Sequence, residues 1–169
     1  MRAAREIALV GLFTAVLLGG QFVLSMVAGV EVVTVLLAAF AYKFGVRRGL
    51  MVANAFILLR CFIYGFFPTV IILYLVYYNL FVLVFGLLGK KCGKGALPIV
   101  TVAAVIMTML FTLLDDIICP LFYGFSRDAA ISYFYASLPV MLTQCACTLL
   151  TTLILFNPLI KIYSSFNIK

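Results

Sequence analysis

The side chains able to bind or react in this sequence are few, and they lie within or beside long apolar runs. A charged or strongly polar group in apolar surroundings is costly unless it is paired or has a function. We therefore take the embedded carboxylates, arginine, tyrosines and amides as candidate ligand contacts. They are Glu31, Arg60, Tyr74, Tyr78, Asn79, Asp115, Asp116, Tyr123 and Gln144.

Two opposite charges, Glu31 and Arg60, lie near the ends of neighbouring apolar segments. An arginine embedded there is costly on its own, and a carboxylate is its natural partner. We expect the pair to contact a ligand or to support a ligand contact. Two alternatives stay open: Glu31 complements the positive end of a helix dipole, and Arg60 forms a structural pair or extends its charge to the membrane surface.

Tyr74 and Tyr78 are four residues apart, so they share one face of a helix, with Asn79 beside them. Ring stacking combined with a few hydrogen bonds suits a flat ligand with polar edges. The alternative is a pair of tyrosines that pack at the membrane interface.

The remaining polar candidates do not form a catalytic set. Asp115 and Asp116 are adjacent, so on a helix they point about 100° apart and make no ready acid–base pair. Gln144 is either a ligand contact or a partner in an interhelical hydrogen bond. The sequence has no histidine, phosphate-binding glycine loop, zinc-protease signature or serine elbow. We predict no catalytic residue, no metal and no cofactor.

The elements that must position these residues are membrane helices. Hydrophobic residues make up 67% of the 169 positions and charged residues 10%, against roughly 25% charged in soluble domains. A membrane helix needs about 20 apolar residues. The sequence therefore predicts an all-α membrane protein with one transmembrane domain over 1–169. The predicted spans are about 4–27, 31–44, 48–64, 69–88, 96–117 and 136–157.

The breaks between these spans come from glycine and proline. Cys119-Pro120 is expected to close the fifth span, and Asn157-Pro158 to end the sixth. That leaves 118–135 as the longest outer connection, which includes Tyr123 and several other aromatic residues. A loop of this length is either a lid or binding loop, or part of an aromatic belt at the membrane surface.

Basic residues define the predicted orientation of the six-helix bundle. Ten of the twelve fall on one side of a six-span arrangement, and that side is the cytoplasm by the positive-inside rule. We therefore predict a multi-pass protein of the cell membrane with both termini cytoplasmic, and no nucleic-acid partner despite the net charge of +7. The ten residues are Arg2, Arg5, Lys43, Arg47, Arg48, Lys90, Lys91, Lys94, Lys161 and Lys169.

Small residues repeat along one face of the first predicted helix. Ala4, Ala8, Gly11 and Ala15 fall within a narrow arc, which allows another helix to approach closely. The face either docks another membrane protein or packs within the bundle.

Four stretches resemble the substrate-binding (S) components of energy-coupling factor (ECF) transporters. They are Arg5–Ala15, Gly29–Leu37, Phe62–Phe66 and Leu155–Leu159. The resemblance implies a membrane-embedded subunit that binds a vitamin-like molecule and associates with a transmembrane coupling protein and two cytoplasmic ATPases. It also implies that a small-residue motif on the first helix docks the coupling protein, and both Ala4/Ala8 and Gly11/Ala15 fit that spacing. The resemblance further implies a ligand pocket that opens outward, formed by the outer loops and the outer halves of helices 4 to 6.

We therefore predict a binding subunit of an ECF-type importer that has no enzymatic activity and whose substrate stays open. The alternative is a small integral membrane enzyme or an assembly factor without a transport role.

Overall fold

The computed structural model describes residues 2–24, 32–92 and 96–166. Within these ranges the chain forms six α-helices and no strand, which confirms the all-α prediction. The helices are α1 (Arg2–Leu24), α2 (Val33–Phe44), α3 (Val46–Tyr64), α4 (Pro68–Lys91), α5 (Leu97–Tyr123) and α6 (Arg127–Ser165).

Four helices of the described chain, α1, α4, α5 and α6, are long and apolar enough to cross a membrane. The other two differ for reasons visible in their sequences. α2 is apolar but has only 12 residues, and α3 carries Arg47, Arg48 and Arg60. The composition and these helices are consistent with a helical membrane protein.

The short helix α2 lies at the centre of the bundle, where it packs against α1, α3, α4 and α6. Most of its residues are buried, and an aromatic cluster surrounds Phe40. The Phe40 ring lies 4.5 Å from the ring of Phe13 in α1, and the Phe13 ring lies 4.9 Å from that of Tyr163 in α6. These contacts hold α1, α2 and α6 together.

Glycines permit the closest contacts around α2. Gly45 alone joins α2 to α3, with a φ of 84° that L side chains rarely adopt. Gly89 of α4 lies so close to the backbone carbonyl of Tyr42 that an added Cβ would overlap it. The α2–α4 packing therefore depends on the absence of a side chain at Gly89.

Two polar contacts bring the basic ends of the helices together. Arg48 at the start of α3 pairs with Glu6 at the start of α1 at 2.9 Å. The Tyr42 hydroxyl, near the end of α2, donates to the Cys92 carbonyl after α4 at 2.6 Å. We call this the basic end. The opposite end, where α3 leads into α4 and α5 leads into α6, is called the distal end. The basic end carries Arg5, Lys43, Arg47, Arg48, Lys90, Lys91 and Lys161.

The predicted long outer loop over 118–135 was wrong. α5 continues through Pro120 to Tyr123, and α6 begins at Arg127, so only residues 124–126 separate them. Gly124 ends α5 in the left-handed conformation, and the Ser126 side chain accepts a hydrogen bond from the Ala129 amide at the start of α6.

The predicted stop at Asn157-Pro158 was also wrong, because α6 passes through Pro158 and ends at Ser165. Proline removes one backbone hydrogen bond from a helix. Membrane helices tolerate this loss, since neighbouring groups satisfy the freed carbonyl or the backbone adjusts locally. Proline is therefore a weaker sign of a helix end here than in a soluble protein.

Candidate functional site

An embedded arginine lies among tyrosines near the distal end. The Arg60 guanidinium carbon is 4.3 Å from the ring centre of Tyr74 in α4 and 5.0 Å from that of Tyr64 in its own helix. Both distances are within the range of cation–π attraction. Arg60 Nε is buried, and no residue of the described chain provides it with a hydrogen-bond acceptor. An acceptor from a ligand would satisfy it.

The tyrosines near Arg60 are part of a larger aromatic cluster. The rings of Tyr74 and Tyr78 are 5.1 Å apart, as their spacing on one helix face predicts. Tyr78 is almost fully buried, 5.6 Å from the ring of Phe56 in α3. The Tyr74 ring lies 5.7 Å from that of Phe111 in α5. Tyr74 therefore connects Arg60 to α5, whereas Tyr78 belongs to the core beneath it.

A row of polar contacts joins the distal halves of α5 and α6. The Tyr133 hydroxyl donates to the Asp115 carboxylate at 2.7 Å, and the Thr112 hydroxyl donates to the Gln144 amide oxygen at 3.3 Å. Side-chain hydrogen bonds of this kind hold helices together where apolar contacts gain nothing over lipid. The second carboxylate, Asp116, accepts from the Ser137 hydroxyl at 2.8 Å.

A cavity of about 250 Å³ lies along this row between α5 and α6. Its walls combine a carboxylate, a phenol and an amide with an aromatic ring. Because Phe111 contacts Tyr74 and also lines the cavity, Arg60 and the cavity lie on two sides of one aromatic cluster. The lining residues are Phe111, Thr112, Asp115, Tyr133, Ala136, Ser137, Val140 and Gln144.

The arrangement offers complementary groups to a small amphipathic molecule. A carboxylate and a phenol can hold a cationic or hydrogen-bond-donating group, and the aromatic rings can pack on a flat one. The guanidinium of Arg60 can take an anionic group across the Tyr74 ring. This combination of apolar walls and a few converging polar groups is typical of small-molecule sites.

Of the predicted ligand contacts, Asp115 and Gln144 line the cavity, Arg60 and Tyr74 lie on the other side of Phe111, and Tyr78 lies in the core beside Tyr74. The others have different surroundings. Asn54 of α3 donates to the Asn79 amide oxygen at 3.0 Å, so the two amides bridge α3 and α4.

Asp116 contacts Ser137, and its other oxygen is buried without a hydrogen-bond partner in the part of the chain that the structure describes. Tyr123 is exposed at the end of α5, beside Phe122 and Phe125. Glu31 lies outside the described residues, so the predicted Glu31–Arg60 pair is not described either.

Tyr133 and Ser137 contribute to the row and the cavity but are not among the ligand contacts predicted from the sequence. The signal was present, because Tyr133, Ser137 and Gln144 follow a helical spacing of four and seven residues. The predicted loop over 118–135 separates Tyr133 from the helix and so breaks this spacing. The N-cap Ser126, followed by Asp128 in the first turn, could have marked the true start of α6.

The small-residue face of α1 is exposed. Leu9, Phe13 and Leu17 bury the opposite face of the helix in the bundle. A Cβ added at Gly11 would meet nothing within 4 Å. Within the described chain this face is therefore open to a partner helix, and it consists of Ala4, Ala8, Gly11 and Ala15.

The fold and these contacts define a helical bundle of the membrane type with a polar and aromatic site near one end. Comparison of the chain with protein-family models, with curated proteins and with solved structures finds no match.

Proposed function

We propose that the chain is a multi-pass protein of the cell membrane, with six crossing helices and both termini in the cytoplasm. The clustering of basic side chains at one end supports this orientation. α2 spans only about 18 Å, but it is buried among its neighbours, where a short crossing is tolerated. α6 is about 58 Å long and extends beyond a hydrocarbon core of about 30 Å.

In this membrane the chain is the substrate-binding S component of an ECF-type importer. It captures a vitamin-like molecule from outside, and a transmembrane coupling protein with two cytoplasmic ATPases supplies the energy. The observation that carries the proposal is the exposed small-residue face of α1, opposite the buried Leu9, Phe13 and Leu17. Contact with lipid alone does not require small residues, whereas the close approach of another helix requires them.

The distal site supports the binding half of the proposal. Its cavity of about 250 Å³ is lined by Asp115, Tyr133 and Gln144, and the Tyr74 ring links it to Arg60. Such a cavity is small for a complete vitamin, since ligand sites commonly measure about 300–1,000 Å³. A ligand that also engages Arg60 would separate the rings of Tyr74 and Phe111.

Co-purification with the coupling protein and the ATPases tests the docking face. Gly11→Leu or Ala15→Leu places a bulky side chain where a partner helix must approach, so we expect recovery of the partners to fall by roughly tenfold or more. Val16→Phe is the matched control, because Val16 is exposed on α1 about 100° away from that face.

Unchanged recovery of the partners with Gly11→Leu and Ala15→Leu would remove the proposed docking face. Uptake of the substrate by this chain alone, driven by an ion gradient in cells without the ATPases, would overturn the importer proposal as a whole.

A further inference from the structure

A second cavity, of about 740 Å³, lies at the basic end between α2, α4, α5 and α6. Its volume is within the range of about 300–1,000 Å³ that ligand sites occupy. Neither the distal site nor the docking face of α1 shares a residue with it. The lining residues are Tyr42, Lys43, Gly89, Cys92, Ala96, Leu97, Phe156, Asn157, Ile160, Lys161 and Ser164.

The charge of this cavity is positive. Lys43 in the last turn of α2 and Lys161 in α6 both line it, and none of the described residues that line it is acidic. Glu6, an acid of the same end, is paired with Arg48. An anion in the cavity would therefore meet two ammonium groups and no carboxylate from its walls.

The polar side chains on α6 form a stripe that faces this space. Asn157, Lys161 and Ser164 are spaced by four and three residues, so they share one face of the helix and all line the cavity. They interrupt a segment that is otherwise largely apolar. Apolar lining comes from Ala96 and Leu97 at the start of α5 and from Phe156 and Ile160 in α6.

We propose that this cavity binds the phosphate-bearing headgroup of an anionic phospholipid. Lys43, Lys161 and Asn157 would contact the phosphate, and the glycerol and upper acyl chain would lie against Leu97 and Ile160. A free phosphate would use only the polar lining residues, whereas a lipid would use the apolar ones as well. Basic pockets between membrane helices on the cytoplasmic side bind anionic headgroups in this way.

The inference rests on the proposed membrane orientation and is independent of the proposed transport role. The direct test is native mass spectrometry of the purified full chain in detergent. It is titrated separately with phosphatidylglycerol, phosphatidylcholine and soluble glycerol phosphate. We expect phosphatidylglycerol to bind in preference to the other two.

The variant Lys43→Gln/Lys161→Gln should lower the apparent affinity for phosphatidylglycerol by roughly tenfold or more, since it removes two lysines beside the phosphate. Arg47→Gln/Lys90→Gln is the matched control. It removes the same charge from the same end, at exposed residues that do not line the cavity. The affinity of this control variant for phosphatidylglycerol should stay close to that of the unchanged protein.

A second variant tests the cavity without altering charge. Ser164 is exposed, and its hydroxyl donates to the Ile160 carbonyl of its own helix. Ser164→Trp should fill the space and reduce lipid binding while both lysines remain.

Three results would overturn the inference: equal loss of lipid in the two double variants, equal binding of phosphatidylglycerol and phosphatidylcholine, or equally tight binding of glycerol phosphate. Unchanged lipid binding in Lys43→Gln/Lys161→Gln, with loss of the coupling protein, would assign the cavity to a protein interface instead. If the docking variants in α1 do not lower recovery of the partners, binding of lipid in the cavity is unaffected. The two proposals can therefore fail separately.

Discussion

At the scale of single residues, Gly89 fixes how closely α4 approaches α2. An added Cβ would overlap the backbone of Tyr42, which cannot move as a flexible side chain could. We expect Gly89→Ala to lower the free energy of unfolding by roughly 1–3 kcal/mol, the usual cost of overpacking. Gly11→Ala is the control, because a Cβ there meets nothing. Thermal unfolding in detergent measures both, and equal melting temperatures would contradict the close contact.

Arg60 is the residue that best separates a binding role from a structural one. Its guanidinium contacts Tyr64 and Tyr74, and its buried Nε has no acceptor among residues 2–24, 32–92 and 96–166. Arg60→Met keeps the length and apolar packing of the side chain but removes the charge. We expect the co-purified small molecule to fall by roughly tenfold or more, because a hydrogen bond to a charged group contributes about 1.5–3 kcal/mol.

Mass spectrometry of the small molecules extracted from the purified protein gives this measurement, and a thermal melt gives the stability. Arg127→Met is the control, since Arg127 is exposed at the start of α6. A large loss of stability with unchanged retention of the ligand would make Arg60 a structural residue.

Some of these residue contacts could be predicted from the sequence and others could not. The Tyr74–Tyr78 contact follows from the spacing along one helix. The hydrogen bond between the Asn54 and Asn79 side chains joins two helices, and the contact of Gly89 with Tyr42 joins two others. Such contacts depend on how the helices pack, which local spacing does not determine.

At the scale of the elements, the α5–α6 hairpin is where sequence and structure differ most. The length of the apolar runs predicts both helices, with bounds at Cys119-Pro120 and near 136. The structure instead has Gly124 and the Ser126 cap between them. Proline is a weak sign of a helix end in this hairpin, and the Ser126 cap is the stronger one. The error displaced Tyr133 from a helix into a loop and so concealed part of the candidate site.

The Ser126 cap gives a prediction for this hairpin. Ser126→Ala removes the acceptor of the Ala129 amide, which should cost about 1 kcal/mol. The effect should be local, because the start of α6 is largely exposed. Hydrogen exchange should therefore become faster by roughly fivefold in the first turn of α6 and stay unchanged near Thr148. Ser132→Ala, at an exposed position inside α6, is the control; equally fast exchange in both variants would argue against the cap.

At the scale of the whole molecule, the two ends differ in chemistry. The basic end combines lysines and arginines with a large open cavity, whereas the distal end combines carboxylates, tyrosines and the buried Nε of Arg60. The proposed orientation directs the distal site to the outside and the basic end to the cytoplasm. Capture of a ligand and contact with anionic lipid would then take place at opposite ends of one bundle.

This orientation predicts which positions react with a membrane-impermeant maleimide. The starting variant replaces the five native cysteines, all of which are partly buried, by serine. Ala129→Cys, exposed at the start of α6, should then be labelled in intact cells, because the distal end faces outward. Lys91→Cys, exposed at the end of α4, should be labelled only after the cells are opened. Labelling of Lys91→Cys in intact cells would reverse the orientation, and with it the assignment of the distal cavity to capture from outside.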